Sequence, residues 1–356
     1  LAAELGGPLG RLFAGPAVAL PAHLVPLLRP APGRNPAEVA GPAPYRGRFA
    51  PSPTGELHWG NLRTALLSWL DARLHRGEWL LRFDDLDRPR NRVGAEDAIL
   101  RDLDWLGLHW DGPLLRQSER RGLYGSVLSA LRRSGELYPC RCSRRMLADP
   151  SAPHGEAPVY PGTCRGRPNR WGIEAGRLPS WRLRLPDAPI QWRERLAAPG
   201  ILQAARQVGD PVLRRADGVL AYHLTTAVDE LALGITTVVR GEDLWASTAP
   251  QVAVIEALGG VAPSYAHVPL WRQPSGERLA KRQGAEGLAA WRSEGLGAPE
   301  VIGRLAGSLG LVARPSALSA RALLEQLSLE AFERALSLNK GFGIKGALGS
   351  ETGFNS

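Results

Sequence analysis

His58, Gly60 and Asn61 stand within four residues of one another at the end of the run RFAPSPTGELHWGN, from Arg48 to Asn61. What they can do depends on the backbone that carries them. A short apolar start is stopped by Pro51, Pro53 and Gly55. Leu62, Ala65, Leu66, Trp69, Leu70 and Leu74 then recur at helical spacing, so the three residues fall at a helix start. The free N–H groups of a first helical turn and the helix dipole favour an anion, and a residue without a side chain lets a nucleotide lie close. A histidine there can equally be a cap or a surface residue.

Four further groups have chemistry in their spacing. Asp84, Asp85 and Asp87 follow the apolar stretch 79–83, at a strand end where open α/β sheets bind ligands. One carboxylate could hold an ammonium group; the alternative is a solvated acidic loop paired with Arg82, Arg88 and Arg90. Arg240 ends another apolar stretch just before Gly241, where a guanidinium can grip a carboxylate through two parallel hydrogen bonds, with the Tyr222 hydroxyl as a second contact. A surface pair with Glu242 or Asp243 is the plainer alternative. Arg278 and Lys281 lie in a basic loop that can close over phosphates or simply face solvent. Finally Cys140, Cys142 and Cys164, all the cysteines of the chain, fall in one Pro/Gly-rich stretch. Three thiolates and a fourth donor, for which His154 is the candidate on chemical grounds, would make a closed tetrahedral zinc site; three buried cysteines are the alternative.

The elements that must position these groups alternate. Strands are predicted over 48–51 and 79–83, with helices over 61–74, 94–106 and 120–133. A half-buried strand at 181–185 follows, then buried strands at 219–228 and 235–240, a helix at 249–258, a strand at 265–271 and a helix at 299–311. This alternation predicts an α/β fold with a doubly wound parallel sheet. Residues 1–46, with nine prolines, read as a flexible extension. The catalytic part is expected over 47–311, interrupted by an insertion at 138–170. A helical segment at 312–338 and a flexible tail at 339–356 follow. There is no internal repeat.

With 356 residues and 44% hydrophobic composition the chain can bury a large core, and it contains no apolar run of membrane-spanning length. Three cysteines in so long a chain argue against a disulfide framework, and no secretory signal pattern precedes the motifs, so a cytoplasmic location is expected. Lys and Arg number 44 against 35 Asp and Glu, a net charge of +9, with only three Lys. Such a surplus suits a nucleic-acid partner. A GC-rich genome that uses Arg for Lys gives the same surplus.

Taken in order, these motifs resemble those of class I aminoacyl-tRNA synthetases of the glutamyl branch. HWGN stands in place of the HIGH signature, and RFAPSPTG, the acidic run at Asp84, the segment from Trp105 to Gly112 (LGLHWDG within it) and the run from Val238 to Leu244 all match that branch. The chain departs from the family in two places: Asp84 replaces the usual Glu, and Arg278 and Ala280 replace a lysine and a serine of the mobile loop, leaving Lys281. The resemblance covers about 46–311 and is strongest to the glutamyl-queuosine tRNA(Asp) synthetases. It implies a Rossmann-type catalytic domain that activates L-glutamate with ATP and Mg without tRNA. It then implies transfer to queuosine in the anticodon stem-loop of tRNA(Asp), by a protein expected to be monomeric. It also implies that Arg48, Phe49, Ala50, Pro51, Ser52, Asp84, Tyr222 and Arg240 bind glutamate. His58, Gly60, Asn61 and Lys281 would bind ATP, His58 and Lys281 being the catalytic pair. Cys140, Cys142, Tyr160 and Cys164 would hold one structural zinc. After Lys281 only 75 residues follow, too few for the large helical anticodon-binding part of a full glutamyl-tRNA synthetase. A truncated synthetase charging the tRNA 3′ end and a non-catalytic RNA-binding relic are the rival expectations.

Overall fold

The computed structural model describes residues 44–143, 146, 159–269 and 288–338. β1 (Arg46–Phe49) leads into α1 (Trp59–Leu74), then β2 (Glu78–Phe83), α2 (Ala95–Trp105) and the short β3 (Leu115–Arg116). The three strands pair in parallel, in the order β1-β2-β3. Pro51 and Pro53 lack the N–H groups a ladder needs, so β1 stops at Phe49. α3 (Arg121–Arg133) then feeds β4 (Leu137–Cys140), which pairs antiparallel with β5 (Ser180–Leu183). A hairpin of β6 (Pro189–Trp192) and β7 (Gly200–Gln203) follows, and β8 (Val212–Arg214) pairs on the other side of β5.

The second parallel half is α4 (Tyr222–Ala232), β9 (Thr237–Gly241), α5 (Thr248–Ala257) and β10 (Ser264–Val268), with β9 and β10 in parallel register. It abuts β1: Thr236 N–H donates to the Arg46 carbonyl at 2.9 Å, and Arg46 N–H donates to Thr236 Oγ1 at 2.9 Å. The chain therefore has the two parallel halves expected of a doubly wound fold, meeting at the first strand. α6 (Leu288–Ser293), α7 (Ala298–Ser308), α8 (Ala320–Gln326) and α9 (Leu329–Leu338) complete the described residues. None of the helices described is long and apolar enough to cross a membrane.

One expectation is corrected. Residues 219–228 do not form a strand; from Tyr222 they are the first two turns of α4. The helix is buried from Leu224 to Glu230, so its apolar run has no exposed face to reveal a helical period, and periodicity alone cannot separate such a helix from a buried strand. β10 ends at Val268, and residues 270–271 of the strand expected there lie outside the described residues.

Ten of the 16 residues of α1 are buried, including Arg63 and Asp71. One apolar cluster joins Leu66, Leu70, Trp79 and Phe83 to Leu305, Leu323 and Phe332, so the C-terminal helices pack on α1. Each such side chain contributes about 1.5–3 kcal/mol by burial. Asp71 is compensated by Tyr45 Oη, which donates to it at 2.6 Å, and by the two Nη groups of Arg195 at 2.5 and 3.1 Å.

Candidate active site

The strand ends of β1 and β9, the start of α1 and the first residue of α4 enclose a cavity of about 240 Å³. Arg48, Phe49, Ala50, Pro51, His58, Gly60, Asn61, Tyr222 and Arg240 all line it. His58 is the N-cap of α1, its Nδ1 accepting from Asn61 N–H at 3.4 Å. Gly60 leaves room for the His58 ring, since a Cβ there would lie 3.2 Å from His58 Cε1 and 3.3 Å from Nδ1 and would press on it. The helix start is thereby open and its dipole faces the cavity.

At the opposite wall Arg240 is 3% exposed. Its Nε donates to His267 Nε2 at 3.1 Å, Nη1 to Gln251 Oε1 at 2.7 Å and Nη2 to Thr248 Oγ1 at 2.7 Å. All three acceptors are neutral, and among the described residues no carboxylate pairs with Arg240. Three of five N–H groups are used, which leaves two, the number a carboxylate accepts in a fork. The surface pair with Glu242 or Asp243 is not formed.

Arg48 differs. Although it lines the cavity, its Nε and Nη2 both meet Glu230 Oε1 at 3.0 Å, and Nη1 reaches the Val239 carbonyl at 3.4 Å. Asp84 is also engaged, accepting from Arg82 Nε at 2.7 Å and Nη2 at 3.3 Å. Burial raises the Asp84 carboxyl above its ordinary range against the pull of Arg82. Asp84 and the exposed Ser52 do not border the cavity, but Asp84 N–H donates to the Pro51 carbonyl at 3.1 Å, next to the lining. Behind it, buried Asp229 accepts from Gln117, Arg120 and Tyr124. Lys281, Arg278 and His154 lie outside the described residues.

The family model for the catalytic domain of class I tRNA synthetases (E and Q) matches residues 45–302. The chain belongs to that family. Among relatives of this class I synthetase, the glutamyl-Q tRNA(Asp) synthetase of Prochlorococcus marinus (strain MIT 9303) is 57% identical over 283 residues, 80% of this chain and 88% of that one. The protein of the same name from Dechloromonas aromatica (strain RCB) is 46% identical, over 74% of this chain and 90% of that one. The crystal structure of a glutamate tRNA ligase from Elizabethkingia meningosepticum in complex with its amino acid superposes with a TM-score of 0.67 at 28% identity. That match covers 80% of this chain and 65% of the ligase.

The synthetase also brings its three cysteines together, all Sγ atoms lying within 4.8 Å of one another. Cys142 and Cys164 Sγ are 3.7 Å apart, and Tyr160 Oη lies 3.4 Å from Cys140 Sγ and 3.9 Å from Cys142 Sγ. A tetrahedral ion with sulfur ligands at about 2.3 Å needs S···S edges of about 3.8 Å and O···S edges of about 3.5 Å, so the donor set fits a metal. Tyr160 is held in place: its Oη accepts from Cys164 N–H at 2.8 Å, and the Arg182 guanidinium covers its ring at 3.6 Å from the centroid. Gly209, at φ +68°, passes the Tyr160 backbone, where a Cβ would lie 2.7 Å from its nitrogen. Burial and the Cys140 thiol raise the Tyr160 hydroxyl well above its ordinary pKa, so a metal must displace that proton to bind oxygen.

Other residues that border the synthetase cavity, Arg63, Thr64, Leu309 and Leu336, carry no motif. Arg63 has no carboxylate partner among the described residues, and burial pulls its guanidinium down to about 10. Gln251 and His267 had a visible signal: each is a polar side chain flanked by apolar residues within a mostly apolar element. Glu194 and Glu230 had none.

Proposed function

We propose that the protein activates L-glutamate with ATP in the absence of tRNA and transfers the glutamyl group to queuosine at the first anticodon position of tRNA(Asp). The observation that carries this is one cavity with an anion-binding helix start on one wall and, on the other, a buried guanidinium lacking a counter-charge. The names of its relatives support the choice of substrate. Arg240 takes the glutamate side-chain carboxylate, Tyr222 borders it, and Arg48 with Pro51 lines the wall toward the backbone groups of the amino acid, Asp84 standing behind that wall with its N–H on the Pro51 carbonyl.

An α-carboxylate oxygen attacks the α-phosphorus of ATP, the bond to the bridging oxygen breaks, and pyrophosphate leaves. His58, Gly60 and Asn61, with Lys281, bind the nucleotide, whose phosphates bring the magnesium. A hydroxyl of the queuosine cyclopentenediol then attacks the glutamyl carbonyl and AMP leaves. No side chain becomes covalently modified; positioning and fixed charge supply the acceleration. The cysteine module holds one structural zinc through Cys140, Cys142, Cys164 and Tyr160. Such an enzyme works in the cytoplasm, where its tRNA is.

An isolated queuosine-containing anticodon stem-loop of tRNA(Asp) tests this with labelled glutamate. It should be a substrate, and removing the 3′-terminal adenosine from intact tRNA should not matter. The same stem-loop with guanosine should fail, and binding should weaken steeply with salt. Glutamate appearing on the 3′ end of tRNA(Glu) would replace this reading with a 3′-end synthetase.

A further inference from the structure

Four arginines stand on or behind the cavity, and two lack a carboxylate among the described residues: Arg63, on the α1 wall, and Arg240, on the opposite wall. Arg48 meets Glu230, and Arg82 meets Asp84 with Asp229 at 3.5 Å. Arg240 is surrounded by neutral acceptors. The nearest carboxylate in its network is one ring removed: Glu194 Oε2 lies 2.6 Å from His267 Nδ1. Glu194 is itself fixed, its Oε1 accepting from the backbone N–H groups of His267 at 3.2 Å and Leu196 at 3.3 Å. Glu194 is 7% exposed, His267 5%, and Thr248 and Gln251 fully buried.

We propose that Glu194 and His267 are positioning residues that present Arg240 as an uncompensated cation and so make the cavity prefer a carboxylate over a carboxamide side chain. A carboxylate only accepts, so Glu194 keeps the imidazole proton on Nδ1. The Nε2 lone pair is then fixed as an acceptor for Arg240 Nε–H. The Thr248 hydroxyl accepts from Arg240 Nη2 and stands 3.1 Å from the same Nε2. The flat Tyr265 ring closes the stack, 5° from the His267 plane and 4.9 Å below the Arg240 Cζ. A carboxylate placed directly on Arg240 would neutralise it; a carboxylate acting through a neutral ring orients it and leaves the charge for the ligand.

A glutamate side chain offers acceptors to both remaining N–H groups. A glutamine side chain offers one acceptor and sets its own NH₂ against the second N–H, leaving buried donors opposed. Without Glu194 the ring can adopt the other tautomer, which turns an N–H toward Arg240 Nε–H and releases the fork.

This rests on glutamate being the amino acid bound, and the experiment separates the two. ATP–pyrophosphate exchange is measured for the full chain with glutamate and with glutamine, alongside melting temperature, for wild type, Glu194→Gln, His267→Phe and His267→Gln. Glu194→Gln and His267→Phe should raise KM for glutamate about tenfold, the worth of one lost hydrogen bond to a charged group. KM for ATP should stay within about twofold, and the glutamate-over-glutamine ratio of kcat/KM should fall about tenfold. His267→Gln, whose carbonyl can accept in place of Nε2, should recover most of the preference. A merely structural role would lower stability without moving the ratio. Should His267→Phe not fold, Glu194→Gln and His267→Gln still decide. Wild-type exchange with glutamate but an unmoved ratio in Glu194→Gln overturns the positioning role alone. No glutamate-dependent exchange in the wild type overturns the proposed function and this role with it.

Discussion

Replacing Tyr160 by Phe removes one oxygen from the cysteine cluster and keeps the ring under Arg182, so it isolates the proposed fourth donor. Tyr160 Oη sits 3.4 and 3.9 Å from two of the three sulfurs, close to the edge of about 3.5 Å that an oxygen and a sulfur span around zinc. A structural zinc site is worth about 10–16 kcal/mol, so an even share for one of four donors is about 2.5–4 kcal/mol. The variant should therefore bind zinc about 10²- to 10³-fold more weakly. The assay is competition with a chromophoric chelator at neutral pH, with elemental analysis of the starting protein. Wild type should hold about one zinc per chain, and release should liberate the thiol and phenol sites to take up protons. A Tyr160→Phe protein that holds zinc as tightly as wild type would refute the ligand set, and loss of zinc in His154→Ala would name the true fourth donor. A metal-free preparation with full activity and stability would remove the site altogether.

Arg240→Lys keeps the charge but cannot reach His267, Gln251 and Thr248 together. KM for glutamate should rise about 10- to 150-fold, for a loss of about 1.5–3 kcal/mol, with ATP little affected; an unchanged KM would move Arg240 out of the site. Gly60→Ala places a methyl 3.2 Å from His58 Cε1, so the ring must move and KM for ATP should rise roughly tenfold; unaltered ATP binding would separate the α1 start from the nucleotide. His223 is held down to about 4 by burial and by Arg240, against 6.5 in the unfolded chain. Between these values only the unfolded chain binds the proton, so stability is lost as pH falls from about 6.5 to about 4. Denaturant titrations should show His223→Gln losing less stability than wild type over that interval; parallel losses would mean the ring is not the titrating group.

The residues that could be read from the sequence were those whose role is local. His58, Gly60 and Asn61 belong to one turn, and their order along the chain already dictates a capped helix start. Arg240 before Gly241 marks a strand end in the same way. Asp84 was legible as a carboxylate at a strand end, yet its engagement by Arg82 depends on side-chain rotamers that spacing does not encode. α4 was misread because every face of it is covered, by partners far away in the chain. Glu194 and Glu230 were invisible for a related reason: they lie 73 and 182 residues from the groups they orient, and nothing in their neighbours marks them.

The pairing of Arg48 with Glu230 has a consequence for the chain as it is made. The two residues are 182 apart, and a ribosome adding about 5–20 residues per second needs roughly 10 to 35 s to travel between them. During that interval β1 has β2 on one side but an open edge on the other, and the Arg48 guanidinium has no carboxylate to bury against. The pocket therefore cannot be assembled from the N-terminus forward. It forms in one late step, when α4 and β9 emerge and supply an edge partner and a counter-charge together. A pause in translation ahead of α4 would prolong the life of an exposed, unpaired β1 edge, the species most apt to aggregate.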